Sequence, residues 1–169
     1  WHNEVDLDLV FVNAEKLEER DEAALEKLKN ADGIIVPIGW GERGVEGKIK
    51  AIKYARENKV PYLGLCYGMQ LASIEFARNV VGLKEAHTKE VATDTPHPII
   101  HDIPFEEKYQ RIKGEGASMR LGAYDCVLKP DTLAHKIYSK HDEFKDKKQN
   151  LISERHRHRF EFNNEYREP

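Results

Sequence analysis

The feature that most constrains this sequence is a cysteine between two glycines, in the segment Gly64-Leu65-Cys66-Tyr67-Gly68. An apolar run precedes this segment at residues 60–65. A helix-like spacing follows it, with Leu71, Ile74 and Ala77 on one side. A β-carbon at either glycine would crowd a strand or helix that a tight turn brings close. The segment therefore predicts a sharp strand-to-helix turn, the cysteine version of the nucleophile elbow.

Two interpretations of Cys66 follow from this placement. Free cysteines are often buried structural residues, and a lone cysteine by itself favours that interpretation. At the N-terminus of a helix, however, backbone N–H groups can hold an oxyanion beside a nucleophile. The paired glycines at a strand-to-helix switch favour the nucleophile.

The chain ahead of this motif alternates strand-like and helix-like segments. In order, the patterns predict a strand at residues 5–12, a helix capped by Asp21 and ending at Asn30, a buried strand at 33–37 and a helix at 45–58. Such alternation with short connections predicts an α/β fold with a doubly wound, mostly parallel, flavodoxin-like sheet. Ligands of such sheets bind at the carboxyl ends of strands, where Cys66 and the glycine-rich residues 38–44 both fall.

Composition narrows the class of protein and its partners. The 169 residues suffice for about one domain, with 34% charged residues and a mean hydropathy of −0.70. A net charge of −3 gives no general attraction to nucleic acid or membrane, so we expect neither as a partner. Only Cys66 and Cys126 are cysteines, and no apolar stretch suits a signal peptide or membrane helix. We expect no disulfide and a cytoplasmic location.

Histidines and arginines alternate in Arg155-His156-Arg157-His158-Arg159, so in a strand the two histidines would share one face. No cysteine or carboxylate lies at ligand spacing, and we expect no metal site. An RNA-binding patch is a second interpretation, but stacking aromatic residues are not interleaved, and Glu154 and Glu161 flank the segment.

Several segments, taken together, resemble the glutaminase domain of CTP synthase, a class I glutamine amidotransferase. They are Gly39-Trp40-Gly41 with Arg43-Gly44, Glu46-Gly47-Lys48, Leu63-Gly64-Leu65-Cys66, Gly68-Met69-Gln70, Asp94-Thr95-Pro96-His97-Pro98, Ser118-Met119-Arg120-Leu121-Gly122 and residues 154–161. The resemblance spans nearly the whole chain in the family's order. The Met-Arg-Leu-Gly and Arg-His-Arg-His-Arg segments are specific to this family, whereas the glycine-flanked cysteine indicates only a broad class.

The resemblance implies a role for each matching residue. Cys66 would attack the side-chain amide of glutamine, giving a thioester and ammonia. The backbone N–H groups of Gly39 and Tyr67 match the family's oxyanion hole. A second set matches substrate-binding positions: Gly39, Gln70, Glu90 and Arg159. The carboxylate of Glu90 suits the α-ammonium of glutamine, and the guanidinium of Arg159 suits its α-carboxylate.

The resemblance also implies partners outside this chain. The ammonia would serve the ATP-dependent amination of UTP to CTP in a synthetase domain, with ATP and Mg²⁺ bound there and no cofactor in residues 1–169. We expect the complete enzyme to be a homo-oligomer. We also expect the chain to be truncated at both ends, lacking the domain's first strand and helix ahead of Trp1.

Three departures from the family pattern bear on activity. Ile38 replaces the first of two glycines, and a branched residue is a poor choice where φ is positive. Tyr67 replaces the usual leucine after the nucleophile. The family's His-x-Glu pair, which supplies the base, does not follow Arg159, so we expect residues 1–169 alone to be inactive.

Two other functions remain open at this stage. One is a catalytically incomplete module that binds glutamine or a partner chain without turnover, consistent with Ile38 and the missing base. The other is a cysteine hydrolase or stress protein that shares the elbow, although such proteins lack the two family-specific segments. A His-x-Glu beyond Pro169 in the complete gene product would favour the enzyme.

Overall fold

The computed structural model describes residues 4–103, 110–111 and 118–168. The chain divides into two units, one of residues 1–101 with 161–169 and one of residues 102–160. The cysteine motif lies in the first unit and the Arg155–Arg159 segment in the second.

The first unit is built on parallel strand pairs. Its helices and strands are α1 (Ala14–Glu18), α2 (Glu22–Lys29), β1 (Ile34–Val36), α3 (Val45–Asn58), β2 (Tyr62–Gly64), α4 (Tyr67–Phe76), a π-helical turn (Ala77–Val81), β3 (Ala86–Thr88) and β4 (His97–Asp102). β1 pairs in parallel with β2, placing Ile34 opposite Tyr62 and Val36 opposite Gly64. β3 pairs in parallel with β4, whose other neighbour is a later strand at Phe160–Phe162.

The second unit is built on an antiparallel ladder. Its elements are β5 (Gln110–Arg111), β6 (Ser118–Val127), α5 (Leu133–His141) and β7 (Leu151–His158), and the Phe160–Phe162 strand, β8, follows. β6 and β7 pair from Arg120 opposite His158 to Val127 opposite Leu151. The expected parallel pairing therefore holds for β1–β2 and β3–β4, whereas this antiparallel sheet was not anticipated.

Side chains cap the N-termini of α2 and α3. Asp21 accepts from the Ala24 N–H at 2.8 Å at the start of α2, which ends at Asn30 as predicted. The α3 N-terminus follows Gly44 and takes its cap from α1 instead. There the Glu18 carboxylate accepts from the N–H of Glu46 at 2.9 Å. No helix in the described residues is both long and apolar enough to cross a membrane.

A buried carboxylate joins α3 to α4. Glu75 is 1% exposed, and Arg56 donates to it from Nε at 3.0 Å and from Nη2 at 2.9 Å. The Asn79 amide in the π-helical turn adds a third donor, at 3.1 Å from Glu75 Oε1. Because the charge is paired and hydrogen-bonded, it is tolerated inside the unit.

The strand predicted at residues 5–12 is wrong. These residues form no strand, and apart from the half-buried Val12 their apolar side chains are exposed, with Phe11 at 86%. Alternating apolar and acidic residues would give a strand one apolar face. A strand also needs a neighbouring strand to hydrogen-bond its backbone N–H and C=O groups. Within the described ranges, no strand pairs with this segment. The short helix α1 follows it and was not predicted.

Replacing Gly47 by Ala should lower the free energy of unfolding by about 3 kcal/mol. This is the typical cost of overpacking together with loss of the cap that Glu18 provides to α3. A Cβ at this position would lie 1.8 Å from the Ala14 carbonyl oxygen, so α1 must move away from α3. Urea unfolding measures the loss. Gly33→Ala is the control, since its Cβ would meet only Pro61 O at 3.8 Å. Equal midpoints for the two variants would contradict the expectation.

Candidate active site around Cys66

Cys66 lies between β2 and α4 with a backbone that non-glycine residues rarely adopt. Its φ is 53° and its ψ −100°, and its side chain is exposed. Such conformations cost about 1–3 kcal/mol and persist only where neighbouring structure enforces them. Here the chain passes from β2 to α4 within Leu65 and Cys66.

The two flanking glycines make this turn possible by allowing close backbone contact. A Cβ on Gly64 would lie 2.6 Å from the Gly68 carbonyl carbon, and one on Gly68 would lie 2.1 Å from Val36 O. Neither position has room for a side chain. The steric role predicted for both glycines is confirmed, and their contacts are with α4 and β1 respectively.

Hydrogen bonds then hold the turn in place. The Leu65 N–H donates to Val36 O at 3.0 Å, and the Gly68 N–H donates to Leu65 O at 3.0 Å. The Tyr62 hydroxyl donates to Gly68 O at 2.8 Å. The first turn of α4 thus begins directly at Cys66, where helix N–H groups lack partners within the helix.

The residues around Gly39 lie against the start of α4. An added Cβ on Gly39 would be 3.3 Å from Tyr67 Cδ1, so the turn rests on the Tyr67 ring. The Tyr67 hydroxyl donates to Gly41 O at 2.5 Å. The Gly41 N–H in turn donates to Glu90 Oε1 at 3.0 Å. The structure therefore brings together Tyr67, the Gly39 turn and Glu90.

Tyr67, which replaces the family's usual leucine, is buried. Its phenol is 1% exposed and lies beneath the Gly39 turn instead of lining an open surface. Burial raises the pKa of Tyr67 well above its ordinary value, and the Glu90 carboxylate adds to this rise. The phenol therefore stays protonated and remains a donor.

Ile38 does not disturb the turn. Its φ is not positive, and its side chain is 67% exposed. The left-handed backbone falls instead on Gly41, at 71°, and Gly44, at 69°, which have no Cβ to clash. The departure at Ile38 is therefore compatible with this backbone.

Two further residues predicted to bind substrate, Gln70 and Arg159, lie in different units. Gln70 is 6% exposed and lies one turn along α4 from Cys66, whose carbonyl accepts from its N–H at 3.1 Å. Arg159 lies in the second unit, just after β7, and its carbonyl accepts from the Ile103 N–H at 3.0 Å. Its role in substrate binding stays a prediction.

Lys48 and Gly41 also contact this site. The sequence analysis quoted them within family segments but gave neither a role. Lys48 Nζ lies 5.5 Å from the centre of the Tyr67 ring and donates to Arg43 O at 2.9 Å. Burial lowers the pKa of Lys48. Gly41 contacts Glu90 across 49 residues of sequence, and no local pattern signals such a contact.

The paired histidines share one face of β7, as predicted. His156 Nδ1 lies 2.9 Å from His158 Nε2, and His158 Nδ1 lies 2.8 Å from Phe160 O. Since a carbonyl only accepts, His158 Nδ1 is the donor in the second contact. Among the described residues, no group of three or more His, Cys, Asp or Glu side chains could hold a metal ion.

Comparison with known protein families identifies the family of this chain. The family model described as "Glutamine amidotransferase class-I" matches residues 2–169. The chain belongs to this family. Its fold is accordingly the α/β fold of class-I glutamine amidotransferases.

Relatives within the family narrow the similarity to CTP synthases. The chain is 52% identical to the CTP synthase of Carboxydothermus hydrogenoformans, over 99% of this chain and 29% of that protein. It is 53% identical to the CTP synthase of Geobacillus kaustophilus, over 97% of this chain and 28% of that protein. The chain thus spans less than a third of the length of these relatives.

A solved structure gives the same result. The Trypanosoma brucei CTPS glutaminase domain with bound acivicin superimposes with a TM-score of 0.81 and 38% identity. The match covers 98% of this chain and 58% of that one. The similarity in sequence therefore extends to the backbone of almost the whole chain.

Gly68→Ala should lower the free energy of unfolding by about 3 kcal/mol, because overpacking against backbone cannot be relieved by a rotamer change. The new Cβ would meet Val36 O at 2.1 Å and push α4 away from β1. Ser73→Ala, an exposed change on the same helix, is the control. Urea unfolding compares the two, and a Gly68→Ala midpoint equal to the control's would contradict the close contact.

Proposed function

We propose that this chain is the glutaminase part of a CTP synthase, in which Cys66 hydrolyses L-glutamine and releases ammonia. The observation that carries the proposal is the exposed Cys66 thiol at φ 53° between β2 and α4. An exposed cysteine with this backbone between a strand and a helix fits a nucleophile elbow and so supports the proposal. Identity of 52% to a CTP synthase over nearly the whole chain supports the assignment.

The reaction runs through a thioester. Cys66 Sγ attacks the side-chain amide carbon of glutamine, and its thiol proton passes to the leaving nitrogen, which departs as ammonia. Water then attacks the thioester carbon, releasing glutamate and restoring the thiol. A base must carry these protons, and the family's His-x-Glu pair does not follow Arg159 in this sequence.

Two backbone donors would stabilise the oxyanion formed in each step. They are the N–H groups of Tyr67, at the start of α4, and of Gly39, on the turn that packs against Tyr67. Each such donor is typically worth about 3 kcal/mol of barrier. Since the Gly39 turn packs against the Tyr67 ring, we expect the two N–H donors to be held relative to each other before glutamine binds.

Glutamine is the substrate that these groups suit. Glu90, anchored by the Gly41 N–H, would present its carboxylate to the α-ammonium, and Gln70 belongs to the same unit. A role for Arg159 at the α-carboxylate rests on the resemblance alone. The matched Trypanosoma brucei domain holds acivicin, a glutamine analogue, which supports a glutamine site in this chain.

The remaining partners belong to the longer enzyme. The ammonia would be consumed by ATP-dependent amination of UTP to CTP in a synthetase domain of a homo-oligomeric, cytoplasmic protein. A module that binds glutamine without turnover is the alternative, and it requires that Cys66 be chemically idle.

Cys66→Ala in the full-length protein should abolish glutamine-dependent CTP formation and leave ammonia-dependent formation unchanged. Only Cys66 supplies the nucleophile, whereas amination of UTP lies elsewhere in the enzyme. Cys126→Ala, the other exposed cysteine, is the matched control and should retain both activities. Loss of both activities in a folded Cys66 variant would refute this division. A wild type without glutamine turnover would favour the binding module.

Gly39→Pro should lower the glutaminase kcat about 100-fold, the typical effect of removing one oxyanion donor. Proline has no N–H and fixes φ. Gly39→Ala is the matched control, since it keeps the N–H and places its Cβ 3.3 Å from Tyr67 Cδ1, a smaller disturbance. Initial rates of glutamate formation measure both variants. A normal kcat for Gly39→Pro would show that the oxyanion is held by other groups.

A further inference from the structure

In the Gly39 turn, residues 38–44, Arg43 at the far end is tied to α1 by an ion pair with Glu15 at 2.8 Å, whereas residues 38–41 have no side chain packed against the unit. Ile38 is 67% exposed and Trp40 is 78% exposed. An added Cβ on Gly41 would find no atom within 4 Å. Residues 38–41 therefore depend for their position on hydrogen bonds to the backbone.

The Gly41 backbone makes two such hydrogen bonds, one through its carbonyl and one through its N–H. Its carbonyl accepts from the Tyr67 hydroxyl at 2.5 Å. Its N–H donates to Glu90 Oε1 at 3.0 Å. The Gly41 backbone therefore stands between a buried phenol and the carboxylate proposed to bind the α-ammonium.

The phenol is itself rigidly placed. Tyr67 is 1% exposed, and its ring lies against Gly39 and 5.5 Å from Lys48 Nζ. It also immediately follows Cys66 at the first position of α4. Its backbone is thus fixed by the helix and its side chain by burial.

We propose that the Tyr67 hydroxyl is a positioning group that, through its bond to Gly41 O, sets the Gly39 turn and so the N–H of Gly39. The inference rests on the proposed glutaminase function. It assigns to the Tyr67 side chain a role in catalysis that is exerted by positioning other groups. Tyr67 then serves both halves of the oxyanion hole. Its N–H is one donor, and its hydroxyl holds the turn that carries the other, the N–H of Gly39.

The effect on catalysis follows from how narrowly oxyanion donors must be placed. They act at 2.7–3.1 Å from the oxyanion. A displacement of about 1 Å can cost up to a hundredfold in rate. Without the hydroxyl, the Gly39 turn keeps its bond to Glu90 and its packing on the ring, so it should shift by less than this.

The test is Tyr67→Phe in the full-length protein, with steady-state glutamine hydrolysis as the readout. We expect kcat to fall about tenfold and KM for glutamine to change less than threefold, since transition-state placement is lost and the binding groups remain. CTP formation from free ammonia should be unchanged. A purely structural role would not separate kcat from KM in this way.

Tyr54→Phe is the matched control. Its hydroxyl also lies near a backbone carbonyl, Lys29 O, at 3.5 Å, but on the exposed side of α3. We expect wild-type kinetics for this variant. Tyr67→Leu removes the ring together with the hydroxyl, should lower kcat at least as much, and serves as the test if the Phe variant does not fold.

The outcomes separate this inference from the function on which it rests. A wild-type kcat for a folded Tyr67→Phe, or a change confined to KM, overturns the positioning role and leaves the glutaminase function standing. Absence of Cys66-dependent hydrolysis in the wild type overturns the proposed function itself, and the inference with it. A tenfold fall in kcat with unchanged ammonia-dependent synthesis supports both.

Discussion

The contact on which the site depends is between the α-carbon of Gly68 and the carbonyl of Val36. A Cβ there would come within 2.1 Å of Val36 O, so helix α4 approaches strand β1 more closely than any other residue type permits. This approach fixes where α4 begins, and the helix start fixes Cys66 at φ 53°. The same helix start carries Tyr67, whose ring supports the Gly39 turn. Strand packing, the strained cysteine and the turn opposite it are therefore consequences of one backbone contact.

Local chemistry made much of the first unit predictable from sequence. Asp21 and Asn30 mark the ends of α2 because cap residues satisfy helix backbone groups directly. Gly64 and Gly68 indicated the turn at Cys66 because missing β-carbons have a steric meaning that does not depend on the rest of the fold. The residues gathered at the site were named through resemblance to a family, and their mutual contacts were not derivable from spacing.

What escaped prediction depends on partners distant in sequence. Residues 5–12 have the alternation of a strand, but the pattern does not reveal whether a neighbouring strand is present. The bond from the Gly41 N–H to Glu90 spans 49 residues, and the β6–β7 ladder pairs segments on either side of α5. The buried phenol of Tyr67 illustrates the same limit, because its hydroxyl bonds to Gly41 O, 26 residues away in sequence.

The positive φ of Cys66 places stability and activity in opposition at this one position. A glycine would adopt the same backbone without a steric penalty, so it would relax a strain of about 1–3 kcal/mol. It would also remove the thiol. Selection for folding alone would thus favour losing the residue that the proposed chemistry needs. The presence of cysteine in so unfavourable a conformation is the mark expected of a site maintained for function at the expense of thermodynamic stability.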